Sequence, residues 1–587
     1  MSAGSAAFLG VERSLTGRRW LARAGDDRVA LTLSQRLGLP EVVGRVLAAR
    51  GVGIDAAEAF LNPTLRDFLP DPSHLLDMDK AAARVARAVT DGETIGVFGD
   101  YDVDGATSSA LLANVLRGAG ATVRVYIPDR VLEGYGPNAA ALLRLQAEGV
   151  SLVITVDCGA TAFAPLEAAA EAGLDVVVID HHVGEAALPK AFAVVNPNRF
   201  DETSAHGHLA AVGVAFLLAV AVNRLLKAAG RAVPDLMQWL DLVALGTVCD
   251  VVPLTGVNRA LVAQGLKVMA RRGNAGLAAL ADVAGIKERP DAYHLGYVLG
   301  PRVNAGGRVG EAGLGTSLLS TGDTVQAVEM ARRLDDYNKD RQQIEAAVLL
   351  EAIEQVEGRP DDGLPLLLAA GEGWHPGVIG IVAGRLKERY GRPACVVALE
   401  GGEGKGSGRS VAGMDLGAAV IAARQAGILK AGGGHAMAAG FTVSRERLDE
   451  FRSFLTDRLQ AQLTGELVPV LELDGALDCA GVSVALVETL KQLGPFGAGN
   501  AEPRFAVAAA RVVKADVVGS GHVRCILAGA GGQRLKAIAF RAADDALGHA
   551  LLTAQGTTFH LAGALRVDSW QGNTTVQLVI EDGAATR

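Results

Sequence analysis

The sequence is poor in aromatic residues and in cysteine. Aromatic side chains make up 4% of the 587 residues, and the five cysteines are dispersed along the chain. No two of them form a Cys-x-x-Cys pair. An odd, scattered set argues against a disulfide framework or a structural zinc site and is typical of a reducing compartment. We therefore expect a cytoplasmic protein with buried free thiols.

Long apolar runs and an excess of positive charge are also missing. No apolar stretch both reaches the ~20 residues of a spanning helix and stays free of turn residues, so we expect no membrane association. Glu12, Arg13 and Arg18 interrupt the N-terminal region, which does not resemble a signal peptide. The net charge of −9 excludes a histone-like coat for nucleic acid. It does not exclude a nucleic-acid enzyme, because bound cations and a local basic channel can reverse the field.

The length and the changes of pattern along the chain predict several domains. We predict a helical segment over 1–75, an α/β catalytic domain over 76–320, a connecting helix over 321–360, a second α/β domain over 361–465 and a β-barrel over 466–587. In the catalytic domain, short apolar runs at 94–98, 123–127, 152–156 and 176–179 alternate with helical segments. This alternation predicts a parallel sheet covered on both faces.

Two further elements have clear limits in the sequence. A single helix is predicted from Thr324 to Glu357, with Asp323 as its N-cap and with Gly358 and Pro360 ending it. At ~1.5 Å per residue it would span roughly 50 Å, which favours a connector between two domains over a long core helix. Short alternating segments at 504–513, 522–527, 535–540, 559–567 and 574–580 predict a small barrel such as an OB-fold.

Acidic residues and histidines follow apolar runs at four places. These are Asp100-Tyr101-Asp102-Val103-Asp104-Gly105, Asp157, Asp180-His181-His182 and Asp250. We expect each to stand where a strand ends, and the carboxyl ends of parallel strands meet at one edge of the sheet. Carboxylates brought so close repel one another unless cations neutralise them. The pattern therefore predicts a two-metal hydrolase centre.

Other interpretations of the Asp-x-Asp-x-Asp-Gly segment are weaker. In an EF-hand calcium loop the twelfth position is Glu, but here it is Leu111, and a strand precedes the segment where an EF-hand has a helix. Aspartyl-phosphate phosphatases also carry Asp-x-Asp after a strand, but they do not account for Asp180-His181-His182. Helix or turn capping remains the ordinary role of any one aspartate taken alone.

These four motifs resemble those of the DHH phosphoesterase superfamily. Segments 300–308, 373–380, 406–410, 432–440 and 493–500 further resemble its RecJ branch, with a companion DHHA1 domain and a C-terminal OB domain. The resemblance implies an exonuclease that hydrolyses single-stranded DNA from 5′ to 3′ in repair and recombination, using two Mn²⁺ or Mg²⁺ ions. A DHH phosphodiesterase for oligoribonucleotides or cyclic dinucleotides, and an inactive DNA-binding scaffold, are the alternatives.

The resemblance also implies roles for individual residues. One cation would be held by Asp102 and Asp157 with Asp100 nearby, and the other by Asp104, Asp157, His181 and Asp250. His182 would contact the scissile phosphate. Together with the metal ligands Asp157 and Asp104, it would form the catalytic set. Some superfamily members carry a histidine ligand four residues before Asp102, where this chain has Phe98. The first cation would then depend more on water or on Asp100.

Substrate binding is expected to involve glycines, arginines and hydroxyls outside the metal centre. The candidates are Arg130, Arg302, Asn304, Arg308, Ser407, Arg409, Ser410, Gly434 and His435. Their arginines would read a 5′-terminal phosphate and so set the polarity. In the barrel, stacking and basic contacts would come from Phe496, Arg511, Lys514, His522, Arg524 and Lys536, and Phe505 is expected in the barrel core. A single-strand-binding protein and a helicase are the expected partners of a monomer.

Overall fold

The computed structural model describes residues 6–130, 132–358, 364–463, 468–554, 556–570 and 573–586. The chain divides into two compact units. One comprises Met1–Pro70, Val251–Gln264 and Val468–Arg587, and the other comprises Asp71–Asp250 and Gly265–Leu467. The predicted boundaries at 360/361 and 465/466 lie outside the described residues, and the domain limits stay a prediction.

In the described part of the second unit, the first sheet has five parallel strands. Their order is Thr122–Tyr126, Thr94–Gly99, Val150–Val156, Asp175–Ile179 and Ala193–Val195. The helices along this part are Met78–Asp91, Val103–Gly118, Ala139–Ala147, Phe163–Glu171, Ala211–Ala228 and Leu240–Cys249. The three central strands are almost wholly buried, as expected for a parallel sheet covered on both faces. The predicted parallel sheet is confirmed.

The expectation that Asp250 follows a strand is wrong. The apolar run before it is the helix Leu240–Cys249, and Asp250 is its C-cap residue. Residues 240–247 are all buried, so every face of this helix is apolar or enclosed. An apolar run without amphipathic periodicity does not distinguish a buried helix from a buried strand.

One helix of this unit, Ala211–Ala228, is long and apolar enough to cross a membrane by length and composition alone. Its apolar window is 67% buried inside the protein. It packs against the helices Met78–Asp91 and Val103–Gly118. These contacts are those of a core helix.

The long helix runs from Thr324 to Glu357, as predicted, and the Asp323 carboxylate accepts hydrogen bonds from the amides of Val325 and Gln326. Gly358 is its C-cap residue, and Pro360 lies outside the described residues. The helices that precede it are Gly256–Met269, Ala275–Val283, the π-helix His294–Leu299, Gly300–Val309 and Leu314–Ser320. The long helix packs on Ala275–Val283, Gly300–Val309 and Leu314–Ser320 and also on the second α/β part of the same unit, which fits a connector.

The second sheet of this unit is mixed. Its described strands are ordered Ala431–His435, Ala438–Ser444, Glu403–Arg409, Ala394–Glu400 and Leu367–Glu372. Only the last pair is parallel. The accompanying helices are Ile379–Tyr390, Leu416–Gln425 and Leu448–Gln460.

The first unit contains the predicted barrel. Its described strands are Gly475–Leu477, Arg504–Val518, His522–Ala528, Arg534–Ala539, Asn573–Ala585 and Thr558–Trp570, and the last pairs back with Arg504–Val518 to close the sheet. Helices Val484–Lys491 and Ala546–Thr553 accompany it, and Val470–Leu473 pairs with the N-terminal strand Arg19–Ala22. The N-terminal helices are Asp27–Leu37, Glu41–Ala49, Ala57–Leu61 and Leu65–Phe68. Side chains of the first three share a hydrophobic core with the barrel.

Candidate metal centre and anion pocket

The acidic motifs meet at the carboxyl edge of the parallel sheet. Three sets of side chains each bring possible ligand atoms within 4.8 Å of one another: Asp100, Asp102 and Asp157; Asp104, His181 and Asp250; and Asp157, His181 and His182. His181 lies at the centre. Its Nε2 is 3.3 Å from Asp157 Oδ1 and 3.9 Å from Asp104 Oδ2, and its Nδ1 is 3.6 Å from Asp250 Oδ2. The fold therefore brings together all six residues predicted to bind metal.

Buried atoms without a hydrogen-bond partner mark where cations would fit. They include Asp100 Oδ1, His181 Nε2 and Asp250 Oδ2. Burial, together with the carboxylate of Asp102, raises the pKa of Asp104 to about 7. Burial and the carboxylates of Asp104 and Asp102 raise the pKa of Asp250 to about 9. Burial lowers the pKa of His181 to about 4, so its imidazole is neutral at pH 7, the form that binds metals. This donor set suits two hard divalent cations.

Backbone amides fix two of the carboxylates. Asp104 accepts hydrogen bonds from the amides of Ala211 and Val212 at 2.7 and 2.9 Å, at the N-terminus of helix Ala211–Ala228. The carboxylate of Asp102 caps the helix Val103–Gly118 by accepting from the amide of Gly105. Both side chains are therefore oriented by helix N-termini.

Asp180 has a different role from its neighbours. Its Oδ1 accepts from the amides of His181 and His182, its Oδ2 accepts from the amide of Ala160, and Nδ1 of His182 lies 2.8 Å from Oδ1. Burial opposes ionisation, but these hydrogen bonds still hold the pKa of Asp180 below its usual value. The carboxylate thus orients the His182 ring, as outer-shell carboxylates do for imidazoles at metal sites.

Sequence reasoning missed several residues around the histidines. The side-chain amide of Asn196 donates to the carbonyl of His182, and that of Asn198 donates to the carbonyl of His181. The hydroxyl of Tyr135 donates to the carbonyl of Asp157 at 3.0 Å. These residues stand in loops without an apolar pattern, and the sequence carries no signal of their contacts.

Phe98 belongs to the core and not to the metal centre. Its side chain is fully buried, and its ring centroid is 5.2 Å from that of Tyr126. Phe98 offers no ligand atom at the position where some superfamily members were expected to carry a histidine. Asp102, Asp157 and Asp100 are the side chains that remain for the first cation.

A small pocket of positive charge lies in the same unit as the metal centre. It has a volume of about 220 Å³ and is lined by Asp129, Arg130, Leu132, Gly307, Arg308, Val309, Gly310, Ala312 and His375. Burial and the nearby charge of Arg130 lower the pKa of Arg308 to about 10. Burial and Arg130 also lower the pKa of His375, which was not among the predicted site residues. Two arginines and a histidine line the pocket beside the carboxylate of Asp129, and this excess of basic groups is suited to an anion.

Arg409 extends this positive charge. Burial and then Arg130 lower its pKa, and one of its nitrogens donates to Ser407 Oγ at 3.1 Å. The first turn of helix Ile379–Tyr390 packs on both residues, because a Cβ at Gly380 would be 3.0 Å from Ser407 Oγ and 3.1 Å from Arg409 Nη2. A helix N-terminus adds a further positive potential beside these donors.

Other predicted substrate residues are engaged elsewhere or lie apart from this pocket. Arg302 donates to Asp335 of the long helix at 2.8 Å and to the carbonyl of Val298. The buried hydroxyl of Ser410 donates to the carbonyl of Met414. Asn304 is half-buried on the helix Gly300–Val309, and Gly434 and His435 are exposed on the hairpin of the second sheet. Their contacts with a substrate stay predictions.

In the barrel, the aromatic and basic residues separate into two groups. Phe505 is fully buried in the core, as expected, and Phe496 packs partly against that core. The basic side chains are exposed: Arg511, Lys514, Arg524 and Lys536. His522 stands edge-on to the exposed ring of Phe540, with centroids 5.2 Å apart. Phe540 was not among the predicted contact residues.

Family models match three parts of the chain. The DHH family N-terminal domain matches residues 94–247, the DHHA1 domain matches 363–461, and the RecJ OB domain matches 473–582. These ranges contain the parallel sheet, the mixed sheet and the barrel, respectively.

Curated relatives and solved structures match almost the whole chain. The single-stranded-DNA-specific exonuclease RecJ of Dickeya dadantii is 38% identical over 563 residues, which cover 92% of this chain and 96% of the relative. RecJ of Bacillus subtilis is 35% identical, covering 97% and 71%. The crystal structure of RecJ in complex with Mn²⁺ from Thermus thermophilus superposes with a TM-score of 0.81 at 29% identity, covering 97% of this chain and 79% of that one. The chain belongs to the RecJ family.

Proposed function

We propose that this protein is a divalent-metal-dependent exonuclease that hydrolyses single-stranded DNA from its 5′ end, in DNA repair and recombination. The observation that carries the proposal is that two ligand sets, Asp100 with Asp102 and Asp157 and Asp104 with His181 and Asp250, meet at one sheet edge. Asp157 Oδ1 and His181 Nε2 lie 3.3 Å apart where the two sets meet. Membership of a family of single-stranded-DNA-specific exonucleases supplies the substrate. RecJ has been crystallised with Mn²⁺ and with Mg²⁺, and the acids and the neutral imidazole found here suit both ions.

The residues of the centre divide into ligands and a phosphate contact. Asp100, Asp102 and Asp157 would hold one cation, and Asp104, His181 and Asp250 would hold the other with Asp157 shared. When bound, two such cations supply an activated water and neutralise charge on both oxygens of the displacement. His182, whose Nδ1 faces Asp180, keeps its other ring nitrogen available to contact the scissile phosphate.

The positive pocket supports recognition of the strand end. After burial, the charge of Arg130 is the next cause that lowers the pKa of Arg308 and that of Arg409, and Ser407 adds a hydroxyl beside Arg409. At about 220 Å³ the pocket suits a phosphate group better than a whole nucleotide. If the 5′-terminal phosphate is held in this pocket, the first phosphodiester bond of the strand would lie at the metal centre. Cleavage would then start at the 5′ end and proceed towards the 3′ end.

The small volume of this pocket supports a preference for single strands. The pocket is lined both by residues near the parallel sheet, such as Arg130, and by His375 of the second α/β part. A duplex ~20 Å wide brings a second strand beside the first, and a pocket of this volume has no room for it. We further expect a monomer in the cytoplasm that cooperates with a single-strand-binding protein and a helicase. The five free cysteines fit that compartment.

The test uses strands labelled at the 5′ or the 3′ end. Single-stranded DNA, duplex DNA and short oligoribonucleotides are incubated with Mn²⁺, Mg²⁺ or EDTA. We expect mononucleotides to be released first from the 5′ end of single-stranded DNA, only when a cation is present. Release from the 3′ end, or cleavage that persists in EDTA, would contradict the proposal. Preferred cleavage of the oligoribonucleotides would favour a phosphodiesterase instead.

A further inference from the structure

We propose that Tyr135 is a positioning residue of the metal centre, whose hydroxyl holds the main chain of Asp157 and the ring of His182 in their working orientations. The inference rests on the function proposed above and assigns a role to a residue outside the predicted ligand and substrate sets. The hydroxyl of Tyr135 contacts the main-chain carbonyl of Asp157 and not its carboxylate. It acts through the two residues that it contacts.

The main chain of Asp157 needs such support because its conformation is uncommon. Asp157 follows the strand Val150–Val156 and has φ = 61°, in the left-handed region that non-glycine residues rarely adopt. A conformation of this kind costs of order 1–3 kcal/mol and persists only where the surroundings determine it. The amide of Asp157 donates to the carbonyl of Ile179 at 3.0 Å, and its carbonyl accepts from the hydroxyl of Tyr135 at 3.0 Å. Both main-chain polar groups of the shared ligand are therefore fixed.

The same hydroxyl also reaches a histidine. Tyr135 Oη lies 3.3 Å from Nδ1 of His182, whose Nδ1 also lies 2.8 Å from Asp180 Oδ1. Asp180 is the nearer acceptor for the single Nδ1–H of His182, and a hydroxyl that donates to the Asp157 carbonyl keeps lone pairs that can share that hydrogen. The two rings meet edge to face, with centroids 5.9 Å apart. One hydroxyl thus ties the ends of two neighbouring strands together.

The backbone around Tyr135 is shaped to deliver this hydroxyl. Gly134 and Gly136, on either side, have φ values of 84° and 78°, which a residue with a side chain adopts only with strain. Glu133 secures the preceding turn by accepting from the hydroxyl of Tyr126 at 2.6 Å and from the amide of Asp129 at 3.0 Å. The Tyr135 ring is half-exposed, so burial of its apolar surface does not explain the position. The contacts of its hydroxyl with Asp157 and His182 explain the position.

The test compares Tyr135→Phe with Tyr390→Phe in the full-length protein, because the hydroxyl of Tyr390 donates to Glu357 at 2.7 Å. Both substitutions remove one hydroxyl and keep the ring, but only the first removes a contact to Asp157 and His182. The measurements are kcat and KM on 5′-phosphorylated single-stranded DNA, and the Mn²⁺ concentration that gives half-maximal thermal stabilisation of the metal-free protein. Loss of an outer-shell partner typically costs about 10–100-fold in metal affinity or activity.

For Tyr135→Phe we expect kcat to fall about tenfold with KM within about twofold of the parent, and the half-maximal Mn²⁺ concentration to rise about tenfold. Tyr390→Phe should change each quantity by less than about twofold. An unchanged Tyr135→Phe variant, an equal effect of both substitutions, or a change confined to KM would overturn the proposal. The Mn²⁺ titration does not depend on turnover, so it tests the role of Tyr135 even in a protein that does not cleave DNA. Inactivity of the parent protein on DNA would refute only the proposed function.

Discussion

Nε2 of His181 lies 3.3 Å from Oδ1 of Asp157, and the histidine nitrogen is buried without a hydrogen-bond partner. Burial keeps this imidazole neutral at pH 7, so the pair is not an ordinary ion pair. In the tautomer with the hydrogen on Nδ1, the lone pair of Nε2 faces a carboxylate oxygen, and the two need a positive charge between or beside them. This geometry leads directly to the first prediction.

Replacing Asp157 with Asn should abolish activity and most of the stabilisation by Mn²⁺. Asp157 forms one ligand set with Asp100 and Asp102, and its Oδ1 lies 3.3 Å from Nε2 of His181 in the other, so its loss should weaken both cation sites. We expect kcat to fall by a factor of about a thousand or more, because activation of the attacking water depends on both ions. Asp449→Asn, which changes a surface carboxylate of 96% side-chain exposure, is the matched control. An Asp157→Asn protein with parental kcat would disprove the ligand assignment.

The stability of the metal-free protein should fall as pH rises. The pKa of Asp104 is raised to about 7 and that of Asp250 to about 9, chiefly by burial and then by neighbouring carboxylates. In the unfolded chain both carboxyl groups lose their protons near pH 4. Their contribution to the stability of the folded state is therefore complete below about pH 4. It is lost as pH rises through about 7 for Asp104 and through about 9 for Asp250. Mn²⁺ should therefore raise Tm more at about pH 8.5 than at about pH 5.5. Calorimetry of the chelator-treated protein with and without Mn²⁺ measures these changes in Tm. An equal increase in Tm at both pH values would mean that the acidic cluster does not cause the pH dependence.

Replacing Arg409 with Ala should reduce the preference for a 5′-phosphorylated strand. A charge-assisted hydrogen bond of about 1.5–3 kcal/mol corresponds to a loss of roughly 10–150-fold in kcat/KM on the phosphorylated strand. The rate on a strand with a 5′-hydroxyl should change much less. Competition between the two strands measures the ratio, and Arg424→Ala, at an exposed helix position, is the control. An unaltered ratio would remove Arg409 from the end-recognition pocket.

Arg302 and Asp335 should be coupled in stability. Their side chains are 2.8 Å apart and mostly buried, and they join the helix Gly300–Val309 to the long helix Thr324–Glu357. Each alanine variant should lower the free energy of unfolding by about 1–3 kcal/mol, and the double variant by less than the sum. Denaturant unfolding of the four proteins tests this, and strictly additive losses would mean that the ion pair contributes nothing. Any separate effect of Arg302→Ala on the 5′-phosphate preference would support its predicted contact with the substrate.

Elements with strong local signals were predictable from the sequence. The helix Thr324–Glu357 has its N-cap residue and its amphipathic stripe in the sequence, and the strands Thr94–Gly99 and Val150–Val156 are short apolar runs between helical segments. Asp100 and Asp157 follow those strands directly, so topology alone placed them together. Asp250 was placed correctly in space but on the wrong element, because an enclosed helix has no periodicity to identify it.

Contacts between side chains that are distant in sequence were not predictable. Nothing in the sequence distinguishes Arg302, which pairs with Asp335, from Arg409, which lies beside Arg130 and Ser407. Tyr135 and His375 likewise gained their roles from loops whose paths depend on packing.

The sequence by itself determined the fold class, the order of the domains and the chemical type of the centre, because periodicity, caps and strand-end acids are local properties. The tertiary structure decided which acidic and histidine side chains lie within reach of one another, which arginines line or flank the pocket and which hydroxyl contacts Asp157. Those choices depend on distances of about 3 Å between residues far apart in the chain, and such distances are set by packing and burial.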